Sequence, residues 1–332
     1  MKPDGTLILK RSEVASLLNL DECIRAVEEA FRQNEEGQSL PPGVLETLTD
    51  TGGFHIKAAG LKLAKRTYYS AKVNANFPQN MNNRGLPTIQ GVIALFDSES
   101  GYPLALLDSI EITALRTGAA TAVAAKYLAR PDSTGATICG CGVQGRVQLK
   151  SLAQVFRLEK VYAYDQVEVL GSKFADEMSE ELKIEVIPVT DLPRALGESD
   201  VCVTCTSSRQ PFLMREHVCA GTFVAAIGAD NPLKQELDPA LLASNKVVVD
   251  VLEQCATIGD LHHAIAAGTM SKTDVFAELG AIIAGRKPGR TSAEEIIIFD
   301  STGTALQDVA AASIVYQKAL NGTKGFWLNL AA

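Results

Sequence analysis

The spacing of apolar residues changes along the chain, and the changes mark its organisation. Thr6-Leu7-Ile8-Leu9 is a short apolar run that predicts a strand. Ser12 caps a short helix. Asp21 caps a longer one, in which Ile24, Val27, Ala30 and Phe31 share a face. Leu40-Pro41-Pro42-Gly43 breaks that pattern, and the period drops to two. Phe54, Ile56 and Ala58 alternate with His55 and Lys57; Tyr69, Ala71, Val73, Ala75 and Phe77 alternate with Ser70, Lys72, Asn74 and Asn76. Residues 88–97 and 103–108, joined through Ser98-Glu99-Ser100-Gly101, predict a hairpin. Residues 44–108 thus predict a largely antiparallel sheet with one apolar and one polar face. The polar face either meets water or lines a pocket with lysines, a histidine and asparagines; the pattern fits both readings.

Residues 109–128 predict a helix dense in small residues, among them Ala114, Gly118, Ala122 and Ala125, with Arg116 inside it. An Arg buried in such surroundings needs an anionic partner. Arg130-Pro131 closes this region. From 136 to about 300, strands expected at 136–140, 160–164, 184–188, 200–204, 222–227, 246–250 and 295–299 alternate with helices, which predicts an α/β fold with a doubly wound Rossmann sheet. Residues 303–320 predict an Ala-rich helix outside the alternation, returning to the first region. The expected domains are a discontinuous α+β substrate-binding and dimerisation domain, 1–130 with 303–332, and a dinucleotide-binding domain, 131–302.

Inside the α/β stretch, Gly140, Gly142 and Gly145 form a G-x-G-x-x-G between an expected strand and an expected helix. In that context the glycines permit the tight turn, the approach of a pyrophosphate and close helix–strand packing. The next strand ends in Asp165, twenty residues after Gly145. A carboxylate there accepts from the adenosine ribose and repels a 2′-phosphate, so the expected cofactor is NAD, with NADH preferred over NADPH. Other polar groups follow strand ends: Thr206, Asp230 before Asn231-Pro232, and Asp300-Ser301. Asp230 fits catalysis and turn chemistry equally. Asp300 and Ser301 read first as an N-cap for the last helix. His217, His262 and His263 lie on polar stretches and receive no role.

A length of 332 residues suits two such domains. The net charge of −8, without basic runs, argues against nucleic-acid and membrane-surface partners. Met1-Lys2-Pro3-Asp4-Gly5 holds no apolar signal core, and no apolar run approaches the roughly 18 residues of a membrane span. The seven cysteines are odd in number. Cys139 and Cys141 fall in the dinucleotide loop, and Cys202 and Cys205 in a buried strand, where Cys acts as a small hydrophobe. The expectation is a reduced, cytoplasmic protein with no metal. A dinucleotide site with Lys, Arg and Asp nearby suits hydride transfer at a carbon bearing nitrogen.

Gly85-Leu86-Pro87-Thr88, Leu115-Arg116-Thr117-Gly118-Ala119, the 140–145 loop, Ile227-Gly228-Ala229-Asp230 with Lys234-Gln235-Glu236-Leu237-Asp238, and Phe299-Asp300-Ser301-Thr302-Gly303 resemble the motifs of the ornithine cyclodeaminase/μ-crystallin family. That family includes ornithine and lysine cyclodeaminases, archaeal-type alanine dehydrogenase, cyclic ketimine reductases and the μ-crystallin hormone binder. The resemblance implies a catalytic set of Lys72, Arg116 and Asp230, with Arg116 on the substrate carboxylate and Asp230 acting on the amine or on water. It implies cofactor contacts from Thr88, Arg116, Thr117, Gly140, Gly142, Val143, Gln144, Gly145, Asp165, Thr206, Gly228, Asp230, Lys234 and Ser301. Lys57, His55 and Thr302 join Lys72 and Arg116 as expected substrate contacts. A homodimer through the first-domain sheet and a small amino- or imino-acid substrate are implied as well.

The chain departs from the family's pattern at Gly43, where relatives carry Arg or Lys as a second carboxylate anchor, and Lys57 is the candidate to supply that charge. Three outcomes share one first step in such a family: net dehydrogenation to a keto acid, ring closure with ammonia release and return of the hydride, or reduction of a cyclic imine. The altered anchor favours net redox, as imino-acid reductase or amino-acid dehydrogenase. The alternatives are an ammonia-lyase of the cyclodeaminase type and a non-enzymatic binder.

Overall fold

The computed structural model describes residues 5–63 and 66–330; residues 1–4, part of the amino-terminal stretch read for a signal core, lie outside the described residues. In chain order the elements are β1 (Thr6–Leu9), α1 (Arg11–Leu17), α2 (Leu20–Glu35), β2 (Ser39–Thr49), β3 (Gly52–Leu63), β4 (Arg66–Asn76), α3 (Asn80–Arg84), β5 (Ile89–Asp97), β6 (Pro103–Asp108) and α4 (Ile110–Leu128). Then follow β7 (Gly135–Cys139), α5 (Val143–Leu152), β8 (Lys160–Tyr164), α6 (Glu168–Leu182), β9 (Glu185–Val189), α7 (Leu192–Gly197), β10 (Val201–Thr204), β11 (Arg209–Leu213), β12 (Phe223–Ala226) and β13 (Gln235–Leu237). The chain continues with α8 (Pro239–Ala243), β14 (Lys246–Val249), α9 (Leu252–Ile258), α10 (Asp260–Ala266), β15 (Ala277–Glu278), α11 (Leu279–Ile283), β16 (Ile297–Asp300), α12 (Ala305–Leu320) and β17 (Phe326–Leu328).

Two compact units result, Met1–Arg116 with Thr304–Ala332, and Thr117–Gly303. The division falls inside α4, where the sequence pattern drew it at Arg130-Pro131. The second half of α4 packs on elements of the second unit. A Cβ on Gly118 would meet Ser151 Oγ at 2.3 Å, so glycine is required for that approach, and Arg290 Nε donates to the Leu128 carbonyl at 2.8 Å.

The first unit is built on a seven-stranded sheet in the order β17-β1-β6-β5-β4-β3-β2, antiparallel except for β1 beside β6. Helix α12 lies against α2, β3 and β4, and its sides are buried through most of its length. The alternation expected on β3 and β4 is present, and the face it buries is the polar one. Tyr68, Ser70, Lys72 and Asn74 are buried on β4, while Tyr69, Ala71, Val73 and Ala75 are half-buried. Lys57, Ala59 and Leu61 are buried on β3, and Phe54 is exposed. The polar face therefore does not meet water. Charged and amide groups of α12 satisfy it, and the apolar row is left outward.

Strand β2 starts at Ser39 and so contains Pro41 and Pro42, where the sequence pattern placed a break. It is an edge strand with a register irregularity between Leu40 and Gly43, which is where a sheet tolerates prolines. Gly43 pairs with Ala58 and Val44 with Lys57, so position 44, not 43, shares the row of Lys57.

The second unit holds an all-parallel eight-stranded sheet, order β15-β14-β16-β12-β10-β7-β8-β9, plus a small parallel pair, β11-β13. From β7 the chain runs outward through β8 and β9, then returns to β10 on the other side. The switch point therefore lies at the carboxyl ends of β7 and β10. Cys139 and Cys202 lie in the apolar core here with Val224, Val247 and Ile298. The last helix begins at Ala305, and its cap is Thr304, whose Oγ1 accepts from Leu306 N. Asp300 is not that cap: it is still in β16, and its carboxylate accepts from Leu261 N of α10 at 2.8 Å. No helix among the described residues is long and apolar enough to cross a membrane.

Candidate active site

In the first unit the chemistry gathers on the buried polar row. Lys72 points from β4, Arg116 from α4, and both meet a carboxylate that sequence reasoning passed over, Asp308 in the first turn of α12. Lys72 Nζ donates to Asp308 Oδ1 at 2.7 Å, Arg116 Nε donates to the same oxygen at 3.1 Å, and an Arg116 terminal N–H donates to Gln307 Oε1 at 2.8 Å. Exposure is 2% for Lys72, 5% for Arg116 and 0% for Asp308. This is the anionic partner that a buried Arg116 demands. The signal for Asp308 was an acid inside an otherwise Ala-rich, apolar helix: a carboxylate is buried there only if paired.

Burial pulls the Lys72 pKa down to about 7; the Arg116 charge and Lys57 add to that, against the pull of Asp308. For Asp308 burial pushes the pKa up, but Lys72, Arg116 and Lys57 outweigh it and hold the carboxylate below its ordinary value. Lys57, opposite Lys72 in the β3–β4 ladder, is also buried. His55 lies farther along β3, half-buried, with Nδ1 3.5 Å from Glu46 Oε1. Asn74, on the same row of β4, accepts from Ser109 Oγ at 2.6 Å. Thr88 sits just before β5, half-buried.

In the second unit the glycine loop leaves β7 at the switch point. Gly140 has φ +102°, a left-handed conformation that favours glycine, and a Cβ on Gly145 would lie 2.1 Å from the Gly140 carbonyl oxygen. Gly142 is the N-cap of α5, and no side chain caps that helix. Its first N–H groups therefore point toward an anion, as dinucleotide binding requires. Val143 is exposed beside it, and Gln144 Oε1 is buried without a hydrogen-bond partner. Asp165, at the end of β8, does more than face a ribose: it accepts from Cys141 N and from Val167 N, each at 2.9 Å. It braces the loop whose ligand it is expected to touch. The residues present fit a dinucleotide.

The other strand-end residues are tied together by buried acids. Glu236 accepts from Thr204 Oγ1, Thr206 N, Thr206 Oγ1 and Gly228 N at 2.6–2.9 Å, which joins the ends of β10 and β12. Asp250 accepts from Ser301 Oγ, Thr302 Oγ1 and Gly303 N. Asp260 Oδ1 accepts from Glu236 N and Leu237 N. Burial raises the pKa of Glu236, against its hydrogen bonds from Thr204 and Thr206. Burial and then the Glu236 charge raise Asp260 to about 7. Glu236 stood inside a quoted motif, yet nothing in its spacing shows that it staples two strand ends.

Asp230 is 46% exposed at its side chain and forms an ion pair with Lys234, Nζ to Oδ1 at 2.7 Å. His263, expected to be idle, is half-buried, and its Nε2 is 2.8 Å from the Lys234 carbonyl oxygen. Thr117 is half-buried in α4.

With both halves described, the comparison with known proteins is decisive. The profile of the ornithine cyclodeaminase/mu-crystallin family matches residues 5–323. The chain belongs to this family. It is 42% identical over 321 residues to an alanine dehydrogenase of Archaeoglobus fulgidus, covering 96% of this chain and 97% of that one. The structure of an archaeal alanine dehydrogenase dimer with bound NAD superposes with a TM-score of 0.93 at 42% identity, over 98% and 99% of the chains. The Δ1-pyrroline-2-carboxylate reductase of Thermococcus litoralis, solved with NADH and L-proline, superposes with a TM-score of 0.92 at 35% identity, over 97% and 100%.

Proposed function

We propose that this member of the family is an NAD-dependent oxidoreductase that interconverts an imino acid and an amino acid at the α-carbon, with net redox rather than ring-closing deamination. The observation that carries the reading is Lys72, a buried lysine poised near neutral pH beside Arg116 and Asp308. When bound, the nicotinamide cofactor supplies a hydride to, or takes one from, the substrate carbon. The chain's own residues do the rest. Lys72 gives a proton to the imine nitrogen in reduction and takes it from the amine in oxidation; a pKa near the working pH serves both directions. Arg116 holds the α-carboxylate by charge-assisted hydrogen bonds. Asp308 keeps Lys72 and Arg116 in place, and Asp230, paired with Lys234, serves the amine or water.

The glycine loop with Val143 and Gln144 takes the pyrophosphate, and Asp165 takes the ribose and favours NADH over NADPH. Thr206, Ser301 and Thr302 spend their hydroxyl protons on Glu236 and Asp250, and so approach a ligand as acceptors. Exposed Leu45, Phe54 and Val92 on the outward face of the first unit's sheet support a homodimer joined through that face. All seven cysteines are free, which supports a reducing, cytoplasmic setting.

The test follows NADH absorbance with Δ1-pyrroline-2-carboxylate, Δ1-piperideine-2-carboxylate, or pyruvate with ammonia. The expected result is NADH consumption. Ammonia release from ornithine with no net change in NADH indicates the lyase instead, and silence in both assays from a protein that binds NADH indicates a binder.

A further inference from the structure

The buried charges of the first unit do not balance. Among its described residues the buried charged side chains are Lys57, Lys72, Arg116 and Asp308, at 6, 2, 5 and 0% exposure. That is three cations against one carboxylate. Lys57 and Lys72 are direct partners in the β3–β4 ladder. Like charges directly opposite in an antiparallel pair destabilise it, and desolvated cations need counter-charge. Asp308 is already engaged by both Lys72 and Arg116. The acid on the neighbouring strand, Glu46, is half-buried and faces His55, its own ladder partner. An α-carboxylate brought to Arg116 leaves a cation in surplus on the Lys57 side.

Resting on the reading above, we propose that the substrate is an imino or amino acid with a second carboxylate on its side chain, and that Lys57 is the residue that selects it. Lys57 and Lys72 stand on adjacent strands, roughly 4.8 Å apart at the backbone. That is on the order of the separation of two carboxylates across a short carbon spacer. The assignment differs from a simple relocation of the anchor expected at Gly43. Gly43 pairs with Ala58, in the outward row, and the residue that shares the row of Lys57 on β2 is Val44. Lys57 therefore adds a charge to the covered face. Apart from the side-chain carboxylate the reaction is unchanged: the imine carbon gains a hydride, its nitrogen gains a proton, and NADH becomes NAD⁺.

The experiment follows NADH oxidation by the wild-type protein with ammonia and, in turn, pyruvate, oxaloacetate or 2-oxoglutarate, and with Δ1-pyrroline-2-carboxylate. At least one diacid is expected to exceed both monoacids in kcat/KM by about tenfold or more, the size of one added charge-assisted contact. Lys57→Met is expected to lower that diacid-to-monoacid ratio by about tenfold. Equal rates on monoacids and diacids in wild type overturn this substrate class and leave the redox reading standing. An unchanged ratio in Lys57→Met overturns the role of Lys57. No reduction of any of these compounds by a protein that binds NADH overturns the redox reading, and this inference with it. Should Lys57→Met fail to fold, inhibition of the wild type decides. Succinate is expected to inhibit at about tenfold lower concentration than propionate, and equal inhibition refutes the proposal.

Discussion

The two units bury charge in opposite ways. In the first, three cations share one carboxylate: Lys57, Lys72 and Arg116 with Asp308. In the second, among the described residues, four buried carboxylates share no buried cation: Glu236, Asp250, Asp260 and Asp300. The second set is satisfied by backbone N–H and hydroxyl donors at the carboxyl ends of the parallel strands. Such a set fastens loops together, and its members respond by holding protons, as the raised pKa values of Glu236, Asp260 and Asp300 record. The first set is an ion cluster with an excess of one sign, which is the arrangement of a binding site for the other sign. Buried acids that hold loops and buried cations that await an anion thus call for different experiments.

The largest effect belongs to the first cluster. Asp308→Ala leaves Lys72 and Arg116 without their carboxylate, and removing one partner of a buried ion pair costs about 3–5 kcal/mol. Urea unfolding is expected to show a loss of that size. A loss near zero would mean that the cluster is hydrated and the contrast between the units is false.

A smaller effect of opposite sense belongs to the second cluster. Asp260 titrates at about 7 in the folded protein against an ordinary value of 3.8. Between those pH values the folded protein keeps a proton that the unfolded chain has lost, so this group's contribution to stability falls as pH rises toward 7. Asp260→Asn removes that loss and keeps an oxygen for Glu236 N and Leu237 N. The melting temperature of the variant relative to wild type is expected to rise by about 2–4 °C between about pH 5 and about pH 8, roughly 1 kcal/mol. A constant difference across that range would show that Asp260 does not carry the proton.

The same contrast explains what was legible in the sequence. The α/β unit announced itself through apolar runs at regular spacing and the glycines of its loop, because a parallel sheet buried on both faces reads as continuous hydrophobic strands. The alternation on β3 and β4 was equally plain, but its sense was not. Lys57, Lys72 and Asn74 read as a surface or a pocket, and only the placement of α12, more than 200 residues later in the chain, decides that they are covered. Asp308 was missed for the same reason: its partners lie 236 and 192 positions away. Glu236 and Asp250 had no local signal, since their donors are backbone groups of other loops. Pro41 and Pro42 misled because a break in helix pattern is also how an edge strand begins.

The central claim is that Asp308 and the cations around it set Lys72 as the proton donor. The most direct measurement is the pH dependence of kcat/KM for imine reduction, in wild type and in Asp308→Asn. Reduction needs Lys72 protonated, so the wild-type rate is expected to fall above about pH 7, approaching tenfold per pH unit. Asp308→Asn removes the carboxylate that supports the ammonium while its neighbours Arg116 and Lys57 still oppose it. The fall is therefore expected to begin at lower pH in the variant. A profile whose alkaline limb stays in place in Asp308→Asn would contradict the account.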